Sequence, residues 1–216
     1  MKPDRSDDAA ADMKYLLDRG YHKSAAMNYV ADHYRLNSGE RNRLVRYVFS
    51  EKEIRDHRDK LMPIRKISGE DVVVDGYNIL ITSQAILAGK EIVEGMDGLV
   101  RDTSATFSKY RFDENCREAA AAVLKILAEC KPASVLFIFD SQMSRSGELA
   151  GYLRHEMKKV ALPGDAKTKK DADRAIKRLK RITLTSDSAI IGKVGRVADL
   201  PRELLTRRRR FKSRQS

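Results

Sequence analysis

Val72-Val73-Val74-Asp75-Gly76-Tyr77-Asn78 reads as a short buried strand that stops at a turn: three β-branched residues in a row, then Asp-Gly. The same ending recurs twice further along. Val135-Leu136-Phe137-Ile138-Phe139 runs into Asp140, and Ile182-Thr183-Leu184-Thr185-Ser186 runs into Asp187. Helical stretches lie between these runs, so the strands are expected to be parallel, and a parallel sheet places all its carboxyl ends on the one edge where ligands bind. Asp75, Asp140 and Asp187 are therefore predicted to converge. Carboxylates gathered within a few ångströms raise one another's pKa unless a cation relieves the repulsion, so the pattern points to a hard divalent ion, Mg²⁺ or Mn²⁺.

Around these strands the pattern predicts an α/β domain with a parallel sheet of four or five strands flanked by helices. A helix or turn follows Asp75 over 76–88, and residues 90–104 form a long loop carrying Glu94, Asp97, Arg101 and Asp102. Asp113 caps a helix that runs through Cys130 and is closed by Lys131-Pro132. Strand 134–139, helix 147–157, a short strand at 159–162, a basic helix at 171–181, strand 182–186 and a last strand at 196–200 complete the order. Residues 1–62 look wholly helical, as a small all-α domain. Ser6, Asn37 or Ser38, and the pair Ser50 and Glu53 supply N-caps, and Gly20 supplies a stop. The helix, glycine turn and helix also fit a helix-turn-helix module, a spacing that recurs in many bundles. Residues 63–70 serve as a linker after Met62-Pro63, residues 71–206 form the α/β domain, and residues 207–216 form a basic tail expected to be disordered until it meets an anion.

Net charge is +12, unevenly spread. Residues 1–66 hold 15 basic and 11 acidic side chains (+4), residues 67–140 hold 7 and 12 (−5), and residues 141–216 hold 21 and 8 (+13). A basic flank beside an acidic segment suits a polyanion gripped by its backbone while a metal site handles one phosphate. No apolar stretch reaches the length of a membrane span, and the N-terminus, with Asp4, Asp7 and Asp8, lacks the apolar core of a signal peptide, so a cytoplasmic protein is expected. The two cysteines, Cys116 and Cys130, fall on the apolar face of one helix, too far apart along it to bridge, and are read as buried core thiols.

Two further aspartates bear on the chemistry. Asp171 and Asp173 sit together at a helix start in Lys-Lys-Asp-Ala-Asp-Arg, where a cap accounts for one of them and leaves the other to face the metal. Asn78 is placed to bind a phosphate oxygen or a neighbouring carboxylate.

Taken together, Asp-Gly-Tyr-Asn after the first strand, Lys-Lys-Asp-Ala-Asp at a helix start and Thr-Ser-Asp-Ser after a later strand resemble the motifs of the PIN-like nucleases, closest to the NYN branch. With its helical N-terminal module the chain is similar to uncharacterised archaeal proteins of that kind. The resemblance implies acidic residues holding one or two Mg²⁺ or Mn²⁺ ions that cut RNA by hydrolysis. By position, Asp75 and Asp187 would be primary ligands, Asp173 or Asp171 a further one, Asn78 a polar support, and Asp140 the aspartate after the second strand. Asp97 and Asp102 both remain candidates for the middle acidic position. The resemblance also implies a homodimer.

The expectation is a metal-dependent endoribonuclease, with Lys169, Lys170, Arg174, Lys177 and Arg178 on the basic helix and Arg207, Arg208, Arg209 and Arg210 in the tail as nucleic-acid-binding residues. Tyr77 is open to two readings, base stacking or core packing. The alternative is an RNA-binding protein on a PIN-like fold with little or no catalytic activity. A phosphatase of the haloacid dehalogenase type also places an aspartate after the first strand, but that chemistry needs a second aspartate two residues on, where this chain has Tyr77.

Overall fold

A computed structural model of the chain describes residues 5–103 and 110–213. Four helices open it: α1 (Arg5–Asp18), α2 (Lys23–His33), α3 (Ser38–Tyr47) and α4 (Glu51–Lys60). Asn37 with Glu40 and Ser50 with Glu53 form reciprocal capping boxes that set the starts of α3 and α4. Ala9, Met13, Ala26, Val30, Ala31 and Val48 are among the buried side chains of this bundle, which has its own core.

The α/β part follows: β1 (Leu61–Met62), a 3-10 turn (Ile64–Ile67), β2 (Asp71–Asp75), α5 (Gly76–Ala88), β3 (Ile92–Glu94), β4 (Val100–Asp102), α6 (Glu114–Cys130), β5 (Ser134–Asp140), α7 (Ser146–Lys159), β6 (Gly164–Lys169), α8 (Ala172–Leu179), β7 (Ile182–Leu184), α9 (Ser188–Ile191), β8 (Val197–Ala198) and α10 (Leu200–Lys212). Six strands form one parallel sheet in the order β1-β8-β7-β2-β5-β6, one strand more than the upper expectation. The extra strand is β1, two residues at the end of the helical segment that pair with β8.

The three apolar runs are the three central strands, and Val72, Val74, Val135, Phe137, Ile182 and Leu184 are buried in the main core. The short strand expected at 159–162 lies instead at 164–169, because α7 continues to Lys159 and β6 is an edge strand of sequence Gly-Asp-Ala-Lys-Thr-Lys. An edge blunted with lysines resists pairing with another chain, and its charges hide it from a hydrophobic pattern search. The loop expected over 90–104 contains an antiparallel hairpin, β3 with β4. Residues 207–212 of the expected disordered tail continue α10, which Asp199 caps and Pro201 starts; residues 214–216 lie outside the described residues. Cys116 and Cys130 are free and buried on α6, as expected.

Candidate functional site

Chain order runs β2, β5, β6 to one side and then returns through β7 and β8 on the other, so β2 is the strand at which the connections change direction. A crevice forms beyond the carboxyl end of such a strand. Asp75 ends β2, and register does the rest. Asp75 pairs with Ile138, so Asp140 stands two residues beyond it on β5; Val74 pairs with Leu184, which sets Thr185 beside Asp75 and Asp187 two residues further on. With a side-chain period of two, all three aspartates fall on the same side of the sheet edge.

They line one cavity of about 320 Å³ together with Asp102, Asp173, Asn78 and Arg46. Thr185 Oγ1 donates to Asp75 Oδ2 at 2.8 Å. The Ser186 backbone N–H and hydroxyl donate to Asn78 Oδ1 at 2.8 and 3.1 Å, which fixes the amide orientation and leaves its NH₂ as the free donor of the pair. Asp187 accepts from the Ala189 N–H at 2.8 Å, and Asp140 from the Gln142 N–H at 2.8 Å, so each keeps its carboxylate at the start of a turn. Burial pushes the Asp75 carboxyl up to about 7, against the bond from Thr185 and with repulsion from Asp187 and Asp173 adding to the rise. Those two carboxylates are thus close enough to act on it.

Asp171 and Asp173 divide their roles. Asp171 accepts from the Arg174 N–H at 2.9 Å as the cap of α8 and does not line the cavity, whereas Asp173, one helical position inside, does. Of the two expected candidates, Asp173 or Asp171, it is Asp173 that reaches the cavity. Asp97 and Asp102 separate just as cleanly. Successive residues of a strand face opposite ways, so on β4 Arg101 turns to one side and Asp102 to the cavity. Asp97 folds back from the β3–β4 turn onto Arg101, with Oδ1 and Oδ2 at 2.7 and 2.6 Å from the two guanidinium nitrogens, and Oδ2 at 2.7 Å from His57 Nδ1. It is 0% exposed and its oxygens are spent, which rules it out as a cavity ligand.

Among the expected nucleic-acid contacts, Lys169, Lys170, Arg174 and Arg178 are exposed: Lys169 ends β6 in register with Asp140, Lys170 follows it, Arg174 lies in the first turn of α8 next to Asp173, and Arg178 is a turn further along, toward the start of β7. Lys177 lies 3.7 Å from Asp173. The arginines of α10 are elsewhere. That helix starts at the cavity edge of the sheet and runs away from it, so Arg207 reaches Glu129 and Glu203 at 2.7 and 2.8 Å, and Arg208 donates to the Ile86 carbonyl at the far end of α5. Their charge is committed to packing α10, and only Arg209 and Arg210 are exposed. Tyr77 packs edge-on against Phe139 and Tyr110 and is buried, as the core reading expects, and it also contributes to the wall of the cavity. Gly76 serves that same packing, since a Cβ there would collide with the Phe139 ring.

The donor set is all oxygen, the chemistry of a hard cation. Among the described residues no group of three or more His, Cys, Asp or Glu side chains is placed to hold a metal ion. Arg46, Thr185 and Ser186 were missed in the sequence: the two hydroxyls look like ordinary strand residues, and nothing near Arg46 distinguishes it from the other arginines of α3.

Two family matches divide the chain where the fold does. The family described as Protein of unknown function (DUF434) matches residues 7–60, and the one described as Domain of unknown function (DUF5616) matches residues 64–203. An uncharacterised protein of Methanocaldococcus jannaschii is 36% identical over 183 residues, covering 85% of this chain and 87% of that one. A match of that length is longer than either segment, so it takes in parts of both. No solved structure matches the chain. Among the described residues no helix is long and apolar enough to cross a membrane.

Proposed function

We propose that this chain, which belongs to the family described as Domain of unknown function (DUF5616), is a metal-dependent endoribonuclease that hydrolyses RNA phosphodiester bonds in the aspartate-lined cavity. One observation carries the reading: Asp75, Asp102, Asp140, Asp173 and Asp187, spread over 113 positions of the chain from 75 to 187, line one cavity at the carboxyl edge of a parallel sheet, and the exposed Lys169, Lys170 and Arg174 flank Asp173 in the chain. Asp75 and Asp187 would hold Mg²⁺ or Mn²⁺, with water and the substrate phosphate completing its shell and Asp173 on the same cavity wall. A bound ion of this type lowers the pKa of a water and offsets charge on a phosphoryl oxygen.

The chain's own groups do the remaining work. Thr185 orients the Asp75 carboxylate, and Ser186 holds the Asn78 amide so that its NH₂ can donate to a phosphate oxygen. Lys169, Lys170 and Arg174 hold flanking phosphates, an arrangement that reads backbone rather than base. Asp173 stands 3.7 Å from Lys177; with an ion bound, Asp173 would face it and Lys177 would be left to a flanking phosphate.

The second reading, an RNA-binding protein on the same fold without turnover, is favoured by the lack of a complete three-ligand group among the described residues. One experiment separates them. Purified protein is incubated with 5′-labelled single-stranded RNA in Mg²⁺, Mn²⁺ or EDTA, beside Asp75→Asn and Asp187→Asn. Cleavage that needs the ion and falls at least a hundredfold in both variants supports the nuclease; binding without cleavage supports the second reading, and cleavage that persists in Asp75→Asn rejects this cavity as the site.

A further inference from the structure

We infer that Arg46, carried by α3 of the N-terminal helical segment, grips a non-bridging oxygen of the RNA phosphate in the aspartate cavity, so that the site is complete only when both parts of the chain contribute. The inference rests on the nuclease reading above and adds to it a residue from outside the α/β domain.

A cavity walled by aspartates repels a polyanion. One divalent ion offsets two of the five negative charges, and the phosphate adds another, so a further cation is needed beside the reacting phosphorus. Among the residues lining the cavity, Arg46 is the only basic one. Its neighbours on α3 are committed elsewhere: Arg41 bonds the Leu36 carbonyl and Asp32, each at 2.9 Å, and Arg43 lies 3.3 Å from Glu91. Arg46 is half-buried and has no hydrogen-bond or ion-pair partner among the described residues, although five carboxylates share its cavity.

Position makes the case stronger. Tyr47, the next residue, accepts a hydrogen bond from the Met96 N–H at 2.9 Å, and Arg58 donates to the Met96 carbonyl at 2.8 Å. The adjacent Asp97 holds His57 of α4 and Arg101, and Arg101 Nε donates at 2.8 Å to the Ser186 carbonyl, one residue from Asp187. Hydrogen bonds, buried from His57 through Asp97 and Arg101 to Ser186, therefore tie the helical segment that carries Arg46 to the residue before Asp187. The backbone that carries Arg46 is set in advance, and the planar fork of a guanidinium matches two phosphate oxygens where an ammonium matches one.

In the reaction, a water oxygen forms a bond to phosphorus, the bond from phosphorus to the leaving ribose oxygen breaks, and that oxygen takes up a proton from solvent while the attacking water loses one. Arg46 neither gives nor takes a proton. It offsets the charge on the non-bridging oxygens throughout.

The test uses the full chain with Arg46→Ala, Arg46→Gln and Arg46→Lys. Cleavage of labelled single-stranded RNA is followed in Mn²⁺, and RNA affinity is followed in Ca²⁺ from 50 to 300 mM salt. Arg46→Ala and Arg46→Gln are expected to lower kcat by about 10²–10³ and to reduce the slope of log affinity against log salt by about 0.7, the value for one lost single-strand phosphate contact. Arg46→Lys is expected to keep the slope and recover part of kcat. Added guanidinium ion should partly restore Arg46→Ala. Normal kcat and slope in a cleaving protein overturn the inference and leave the nuclease standing, as does a kcat loss with the slope unchanged, which marks a structural role. If the wild type binds but does not cleave, the nuclease reading fails and the slope still decides the phosphate contact; if it does not bind RNA, both fail.

Discussion

Asp97→Ala is expected to destabilise the fold by more than the removal of any aspartate in the cavity. Asp97 is 0% exposed and Arg101 2%, and they share two hydrogen bonds of 2.6 and 2.7 Å. Deleting the carboxylate leaves a guanidinium out of water with no anion, a loss of about 3–5 kcal/mol for a buried pair broken on one side. For a chain of this length that converts to a fall in Tm of roughly 6–20 °C, at about 2–4 °C per kcal/mol. The His57 bond to Asp97 is lost as well, and with it a tie between α4 and the β3–β4 turn.

The double variant Asp97→Leu with Arg101→Met isolates the cause. Removing both charges takes away the desolvation cost along with the attraction, so stability should return to within about 1–2 kcal/mol of wild type. Thermal and urea melts followed by circular dichroism measure both. Melts that put Asp97→Ala within 1 kcal/mol of wild type, or the double variant as low as the single one, would refute a stabilising role for the buried pair. An acid limb adds a check. Burial raises the Asp97 carboxyl, but the bonds from Arg101 and His57 outweigh it and hold the group well below the ordinary carboxylate range. A depressed folded pKa contributes stability above the unfolded value and loses it as pH falls, so the contribution should be whole at pH 6 and decline below about pH 4.

Other outcomes follow from the same geometry. Asp171→Ala should cost about 1 kcal/mol through loss of the α8 cap while cleavage stays within threefold of wild type; Asp173→Asn should do the reverse, and melts beside RNA cleavage rates separate the two. Gly76→Ala forces a Cβ into the Phe139 ring and should cost about 1–3 kcal/mol by overpacking, measured by urea titration. Arg207→Ala with Arg208→Ala should lower Tm by several degrees and leave the salt slope of RNA affinity unchanged, whereas Lys169→Ala with Arg174→Ala should lower that slope by about 1.4 and spare Tm.

The central strands were legible because they are buried on both faces, where a run of Val, Ile and Phe is what packing requires; the aspartate at the end of each run then gave the edge on which to look. Edge strand β6 was not, since an edge carries the polar residues that a loop also carries. Asp97 and Asp102 could not be told apart in sequence because the difference lies in a hairpin: only once β3 pairs with β4 does alternation send Arg101 one way and Asp102 the other, and only then does Asp97 have a buried cation to fold onto. Arg46 is a stronger instance. No local pattern marks it, and it joins the cavity through the Tyr47 and Met96 bond, 49 positions apart, and through His57 and Asp97, 40 positions apart and linked on to Arg101 by a buried pair. The same bonds that hid the residue from the sequence give it a purpose in the fold: α3 and α4 are pinned to the turn that carries Asp97, and Arg101 carries that tie to the strand end at Ser186, beside Asp187. Loosening the helical segment should therefore disturb the α/β site directly, without unfolding the sheet on which the aspartates stand.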